Sequence, residues 1–238
     1  MGEQDRIVGI SGFTARPPEA RRTKPKVSAF TSAKFDQILA LEPDLVIGFS
    51  DLQAEIAREL IARGVNVLVF NQRSVEEILD TILAVARLVG AQERGLALVV
   101  ELRYGLDAIR RSASSLPRRP AVFFEEWNEP LISGIRWVDE LVEIAGGSPI
   151  FPELRACPHA KGRIVGPSAV LERNPEVVIA SWCGRKVNKD AIRARPGWRQ
   201  IRHVYEIKST YILQPGPAAL TDGVRQLHSI IAEVAETN

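Results

Sequence analysis

The sequence predicts an α/β fold of two lobes, each with a parallel-type central sheet, linked by a long helical spine. Three observations predict it. One phrase occurs twice, as LEPDLVIGF over 41–49 and as RNPEVVIAS over 173–181. In each copy a helix end meets a proline, which cannot continue a helix and pushes its predecessor toward extended backbone. An acidic residue and a non-alternating aliphatic burst follow, as in a parallel strand buried on both faces. The copies sit in opposite halves of the chain, too far apart for a solenoid repeat of about 20–50 residues. Between them, 74–114 holds no proline and carries apolar residues at three- and four-residue spacing. The domains predicted are therefore an N-terminal lobe (1–73), a connecting helix (74–115) and a C-terminal lobe (116–238). Two lobes enclose a cleft, the usual place for a small ligand.

The elements follow in order. RIVGIS (6–11) reads as a short strand and 14–26 as a polar, proline-containing loop. A second short strand or extended loop spans 27–30, and a helix 32–41 with Ser32 as its cap. A strand (44–48), a helix (52–63) with Gly64 at its C-terminus, and a strand (65–70) come next. Ser74 and Glu77 form a capping box opening the helical middle. That middle is either two helices meeting near Gly90 or one long bent helix. The second half restarts with a strand at 121–125, a helix at 137–145 stopped by Gly146-Gly147, and a helix at 168–173. Strands at 176–180 and 204–207 and a closing helix at 218–235 complete it.

Composition excludes several classes. The chain has 238 residues, 45% hydrophobic and 25% charged, with 31 basic and 29 acidic side chains giving a net charge of +2. There is no basic stripe interleaved with aromatics, so nucleic acid is not expected as a partner. No apolar run approaches a membrane span. MGEQDRIVGIS has no charged-then-apolar secretory segment, so the chain as written reads as cytoplasmic or as lacking a leader. Cys157 and Cys183 make no disulfide framework.

The run VSAFTSAKFDQILALEPDLVIGF, the helical middle, EEWNEPLISG followed by LVEIAGGSPIF, and NPEVVIASW together resemble the vitamin B12 and siderophore type of ABC-transporter substrate-binding protein. The resemblance runs from Ile7 to the C-terminus. It implies two lobes joined by one long helix, an extracytoplasmic location, and a solute-binding function rather than catalysis. Such proteins open with a further strand and helix about 25 residues before the strand that RIVGIS resembles; without that unit an exposed sheet edge or apolar patch is expected, which a homodimer would cover.

The resemblance also implies site residues. Phe30 and Phe49 take positions where cobalamin binders carry tryptophan, and Trp127, Trp182 and Tyr211 hold matching loop positions in the second lobe. The duplication places Phe49 and Trp182 alike, each just past its strand, so two aromatics should face each other across the cleft. For each one the alternative is an ordinary core aromatic at a lobe edge. Trp137 and Trp198 read as packing residues. Polar candidates are Ser50, Asp51, Glu125, Glu126, Asn128 and Gln214. Of the adjacent glutamates, one is expected to face solvent and the other to pair with Arg136 or Arg185. Docking on a transporter permease would use one acid on each lobe: Asp36 in the first, and Glu172 in the second, where the matching position is Ser168.

Cys157, His159 and Cys183 are weak metal candidates, since a structural zinc wants four ligands; no resident metal or cofactor is expected. GxSxG, P-loop, GxGxxG and HExxH are all absent, leaving no support for an enzyme. The function predicted is capture of a corrinoid such as cobalamin in the inter-lobe cleft for an ABC importer. The alternatives are a haem, siderophore or metal-ion binder, or a cytosolic relative that has left transport.

Overall fold

The computed structural model describes residues 1–237, and the chain divides into two compact units. One comprises Met1–Gln72 with Leu83–Gly95, the other Arg73–Ile82 with Leu96–Asn238.

The first unit contains β1 (Ile10–Ser11), α1 (Pro18–Thr23), β2 (Lys26–Ser28), α2 (Phe35–Leu39), β3 (Val46–Phe49), α3 (Ala54–Ala62) and β4 (Val67–Phe70). β1 pairs with β2 and β3 with β4, both in parallel, as separate two-stranded sheets. The strand expected over 6–11 is reduced to β1, because Gln4–Arg6 winds into a 3-10 turn. The loop expected over 14–26 contains α1. That helix has proline at its N-terminus, Glu19 in its first turn and arginines in its last, which suits the helix dipole without any apolar periodicity. Ser32 does not cap α2, which begins three residues later behind Lys34. Gly64 ends α3 with a φ of 82°, as its position predicts.

The helical middle is two helices, α4 (Val75–Leu88) and α5 (Gln92–Ala113). They break at Gly90, whose φ of 66° no continuous helix accommodates. A Cβ on Gly95 would lie 2.3 Å from that of Ala86, so the small residue sets how closely the helices approach. The capping box forms as predicted: Glu77 N–H donates to Ser74 Oγ at 3.1 Å and Ser74 N–H to Glu77 Oε2 at 3.0 Å.

The second unit contains β5 (Ala121–Asn128), β6 (Leu131–Ser133), α6 (Arg136–Ile144), β7 (Ser148–Pro149), α7 (Pro167–Glu172), β8 (Val177–Ala180), α8 (Lys189–Arg193), β9 (His203–Glu206), α9 (Ser209–Ile212) and α10 (Val224–Glu236). The sheet runs β6-β5-β8-β9, with β7 beside the start of β5. β8 is parallel to both β5 and β9, whereas β6 returns antiparallel to β5 through a cis Glu129–Pro130 turn. Beneath the sheet Phe123 meets Phe151 and Trp198 edge-on, each at 5.9 Å.

The repeated phrase takes the same local form twice. α2 and α7 each end just before a residue of positive φ, Glu42 at 46° and Asn174 at 49°, and then proline and a parallel strand. That left-handed residue departs from the extended backbone expected before proline. The two strands differ in cover. β8 is buried along its whole length, but Ile47 in β3 is 46% exposed, because a two-stranded sheet offers one covered face. Ile7, Val8, Phe13, Phe30, Leu52 and Ile61 of the first unit are exposed as well. Among the described residues no helix is long and apolar enough to cross a membrane.

Candidate functional site

In the first unit the predicted aromatics are tied together by a residue that the sequence did not single out. Gln53 Oε1 accepts from Phe49 N–H at 2.9 Å, and its Nε2 donates to the Phe30 carbonyl, also at 2.9 Å. One carboxamide thereby holds the loop after β2 against the end of β3. Gly48 makes room, since a Cβ there would lie 3.0 Å from Gln53 Oε1. Phe30 is 38% exposed and Phe49 half-buried, so both rings keep accessible surface. Ser50 is buried, with a φ of 78°; its Oγ donates to Asp51 Oδ1 at 2.9 Å and accepts from Leu52 N–H at 3.3 Å. It therefore serves as the cap of the turn leading into α3.

In the second unit β5 continues through Asn128, so Glu125, Glu126, Trp127 and Asn128 are strand residues and not a loop. Successive strand side chains leave by opposite faces, and the two glutamates find separate partners. Glu125 is fully buried. Arg195 grips it through two bonds of 2.6 and 2.9 Å, and Trp182 Nε1 donates to it at 3.1 Å. Glu126 is held by the buried Arg163 at 2.6 and 3.2 Å, and Arg163 also donates to the Ser133 carbonyl. The expected pairing with Arg136 or Arg185 is replaced: Arg136 bonds Glu140, and Arg185 lies over the Trp127 ring at 5.6 Å. A charge with no water around it needs a partner of this kind, and Arg supplies the bidentate fit.

Trp182 is 4% exposed and belongs to the core cluster of Phe123, Val178, Trp198 and Val204. It packs as a core aromatic, the alternative given for this ring, with Glu125 as its buried partner. Trp127 differs: half-exposed near the end of β5, it donates from Nε1 to the Glu129 carbonyl at 2.9 Å across the cis-proline turn. Asn128 Oδ1 beside it is buried and has no hydrogen-bond partner among the described residues. Tyr211 in α9 and Gln214 just beyond are half-buried. A Cβ on Gly223 would lie 2.5 Å from the Tyr211 carbonyl oxygen, so α9 requires that glycine. Trp137 is buried and donates to the Ile212 carbonyl at 3.0 Å, and Trp198 is buried, both packing residues as predicted.

Asp36 and Glu172 are exposed, in α2 and at the last position of α7. Asp36 makes a solvent-facing pair with Arg63 at 3.3 Å. Cys157 is half-buried and Cys183 exposed. Among the described residues no three His, Cys, Asp or Glu side chains gather in a way able to hold a metal, so Cys157, His159 and Cys183 do not form a centre. Desolvation of its sulfur and then the Glu126 charge push the Cys183 thiol pKa up, which disfavours the thiolate that metals bind.

The residues missed by sequence reasoning are Gln53, Arg163 and Arg195. Each acts through a partner far away in the chain or through the end of a side chain, and no spacing rule signals that.

A family model described as periplasmic binding protein matches residues 1–211. The chain is 25% identical over 231 residues to a vitamin B12-binding protein of Vibrio parahaemolyticus, covering 92% of this chain and 79% of that one. It is 26% identical over 223 residues to a vitamin B12-binding protein of Vibrio campbellii, covering 90% and 78%. Among solved structures, a periplasmic vitamin B12 binding protein of Vibrio cholerae aligns with a TM-score of 0.74 at 22% identity, over 98% of this chain and 91% of that one. A periplasmic haem-binding protein of Pseudomonas aeruginosa aligns with a TM-score of 0.81 at 18% identity, over 98% and 87%. These structural likenesses speak for the fold, which agrees with the α/β reading of the sequence.

Proposed function

The chain belongs to the periplasmic binding protein family, a family of solute carriers and not of enzymes, and on that footing we propose that it captures a corrinoid such as cobalamin for an ABC importer. The observation that carries the ligand class is the end of β5. There Trp127 is pinned by its Nε1 bond, by the Glu126–Arg163 pair before it and by the cis-proline turn after it. A fixed aromatic ring that keeps exposed surface, with the Arg185 guanidinium 5.6 Å from its centroid, suits a broad, partly apolar macrocycle with polar groups on its rim. The vitamin B12-binding relatives, matched over about nine-tenths of this chain, support the same ligand. One feature favours a haem-like chelate as the second reading: Arg185 beside Trp127 would pair with a ligand carboxylate. Permease docking would use the exposed acids Asp36 and Glu172.

The test is tryptophan fluorescence titration with cyanocobalamin, haemin and a ferric siderophore. Saturable one-to-one quenching by cyanocobalamin is expected, weakened at least tenfold by Trp127→Ala and preserved in Glu172→Gln. Trp127 is the residue to change, because Trp182→Ala would open the core. Saturation by haemin alone would replace the corrinoid by the second reading. Corrinoid binding unchanged in Trp127→Ala would remove the end of β5 from the site.

A further inference from the structure

Helix α5 carries an apolar stripe that none of the described residues covers. Leu96, Val100 and Tyr104 are 53%, 66% and 71% exposed, spaced by four residues on a 22-residue helix. Four-residue spacing puts them on one face, one turn above another. The opposite face is buried through Val99, Leu102 and Leu106, so the stripe is surplus to the fold. The charges along the helix are asymmetric. Its first half carries Glu93 and Glu101 with Arg94, and Arg94 is already paired with Glu3. Its second half carries Arg103, Arg110 and Arg111 with Asp107, and Asp107 is already paired with Arg110. Among the described residues Glu93 and Arg111 enter no ion pair; Arg111 lies 5.8 Å from the Tyr104 ring, on the exposed face itself.

We propose that this face of α5 is a self-association surface that pairs antiparallel with the same face of a second copy. One register satisfies shape and charge together. Val100 packs against Tyr104 of the second copy and Leu96 against its Ala108, while Glu93 meets Arg111, and the two-fold axis repeats each contact. An antiparallel arrangement sets the acidic half against the basic half, whereas a parallel one would stack Glu93 on Glu93 and Arg111 on Arg111. A closed two-fold pair uses the whole stripe on both copies and leaves none exposed, which an open heterologous contact does not. Longitudinal contact of α-helices of this kind places their axes about 8–10 Å apart, close enough for the tyrosine ring to cover valine.

Sedimentation velocity across a concentration series, on the full chain, tests this. A monomer–dimer equilibrium is expected, with the dissociation constant raised at least tenfold by Val100→Glu. The charge reversal Glu93→Arg should weaken the dimer as well, and the double variant with Arg111→Glu should restore it. All three positions are exposed, so unchanged circular dichroism is expected and separates lost pairing from lost folding. A monomer at every concentration overturns the proposal. So does a dimer that survives Val100→Glu and is lost in Ile61→Glu, which would move the interface to the first unit.

Discussion

Asp139 makes the stability of this protein depend on pH in the opposite sense to an ordinary paired carboxylate. It lies on the inner face of α6, 6% exposed, beside Gly134, where a Cβ would lie 2.9 Å from Asp139 Oδ1. Burial pushes its pKa from 3.8 up to about 7. Arg155 and, further off, Arg163 pull it back, and Glu143 one turn along pushes it up again. Arg155 is a weak counterweight: its Nε stands 3.6 Å from Asp139 Oδ2, beyond hydrogen-bond length, while its Nη2 is drawn to Glu143 at 2.7 Å. Since the folded pKa lies above the unfolded one, the folded chain holds a proton between pH 4 and 7 that the unfolded chain has released. Stability from this group is thus full below about pH 4 and declines as pH rises to 7. A shift of that size corresponds to about 4 kcal/mol as a ceiling, a large share of the 5–15 kcal/mol typical of a domain. The assay is urea unfolding of wild type and Asp139→Asn at pH 4.5, 6 and 8, read by tryptophan fluorescence. All four tryptophans, Trp127, Trp137, Trp182 and Trp198, lie in the second unit with Asp139, so the signal reports the right region. Other carboxylates give both proteins the same background slope, and the difference between them isolates Asp139. The asparagine variant should gain on wild type by about 3 kcal/mol between pH 4.5 and 8. Two curves that run parallel across this range would refute a proton held in the native state at Asp139.

Two further outcomes follow from the pairs already described. Arg195→Ala leaves the Glu125 carboxylate buried with only the Trp182 N–H for company, and should cost about 3–5 kcal/mol in urea unfolding. Adding Glu125→Gln should recover part of that loss, and no recovery would mean that Arg195 acts through its contact with Trp198 at 4.6 Å instead. For docking, Asp36→Arg with Glu172→Arg should leave ligand titrations unchanged and abolish ligand-stimulated ATP hydrolysis by the reconstituted transporter. Stimulation at the wild-type level would exclude these two acids as the contact.

The repeated phrase was legible because proline and an aliphatic run are local signals, and both copies fold alike down to the positive φ at Glu42 and Asn174. The capping box at Ser74 and Glu77 was legible for the same reason. The break at Gly90 was left open because glycine both tolerates and interrupts a helix, and only its φ decides. α1 was hidden, since a six-residue helix of proline and charged residues has no apolar period to read. β6 was hidden for a different reason: the polar residues EEWN have the composition of a loop, which masks both the end of β5 and the hairpin that follows it.

That extra length of β5 decides what the site candidates do. A strand ending at Glu125 would have released Glu126, Trp127 and Asn128 into a loop. A strand that continues to Asn128 fixes them on the sheet, and Glu125 then needs a cation inside the protein. The cation is Arg195, seventy positions away, which sequence spacing does not disclose. Once Arg195 and Glu125 are in place, the Trp182 indole N–H has its acceptor, and the ring can be buried at no polar cost. Trp127 has no such partner within the core; its N–H turns outward to the Glu129 carbonyl, and its ring stays half-exposed. The two tryptophans occupy similar places in the sequence pattern, two or three residues past a run of aliphatic or aromatic strand residues. The position of one buried acceptor separates the ring that is enclosed in the core from the ring that keeps exposed surface.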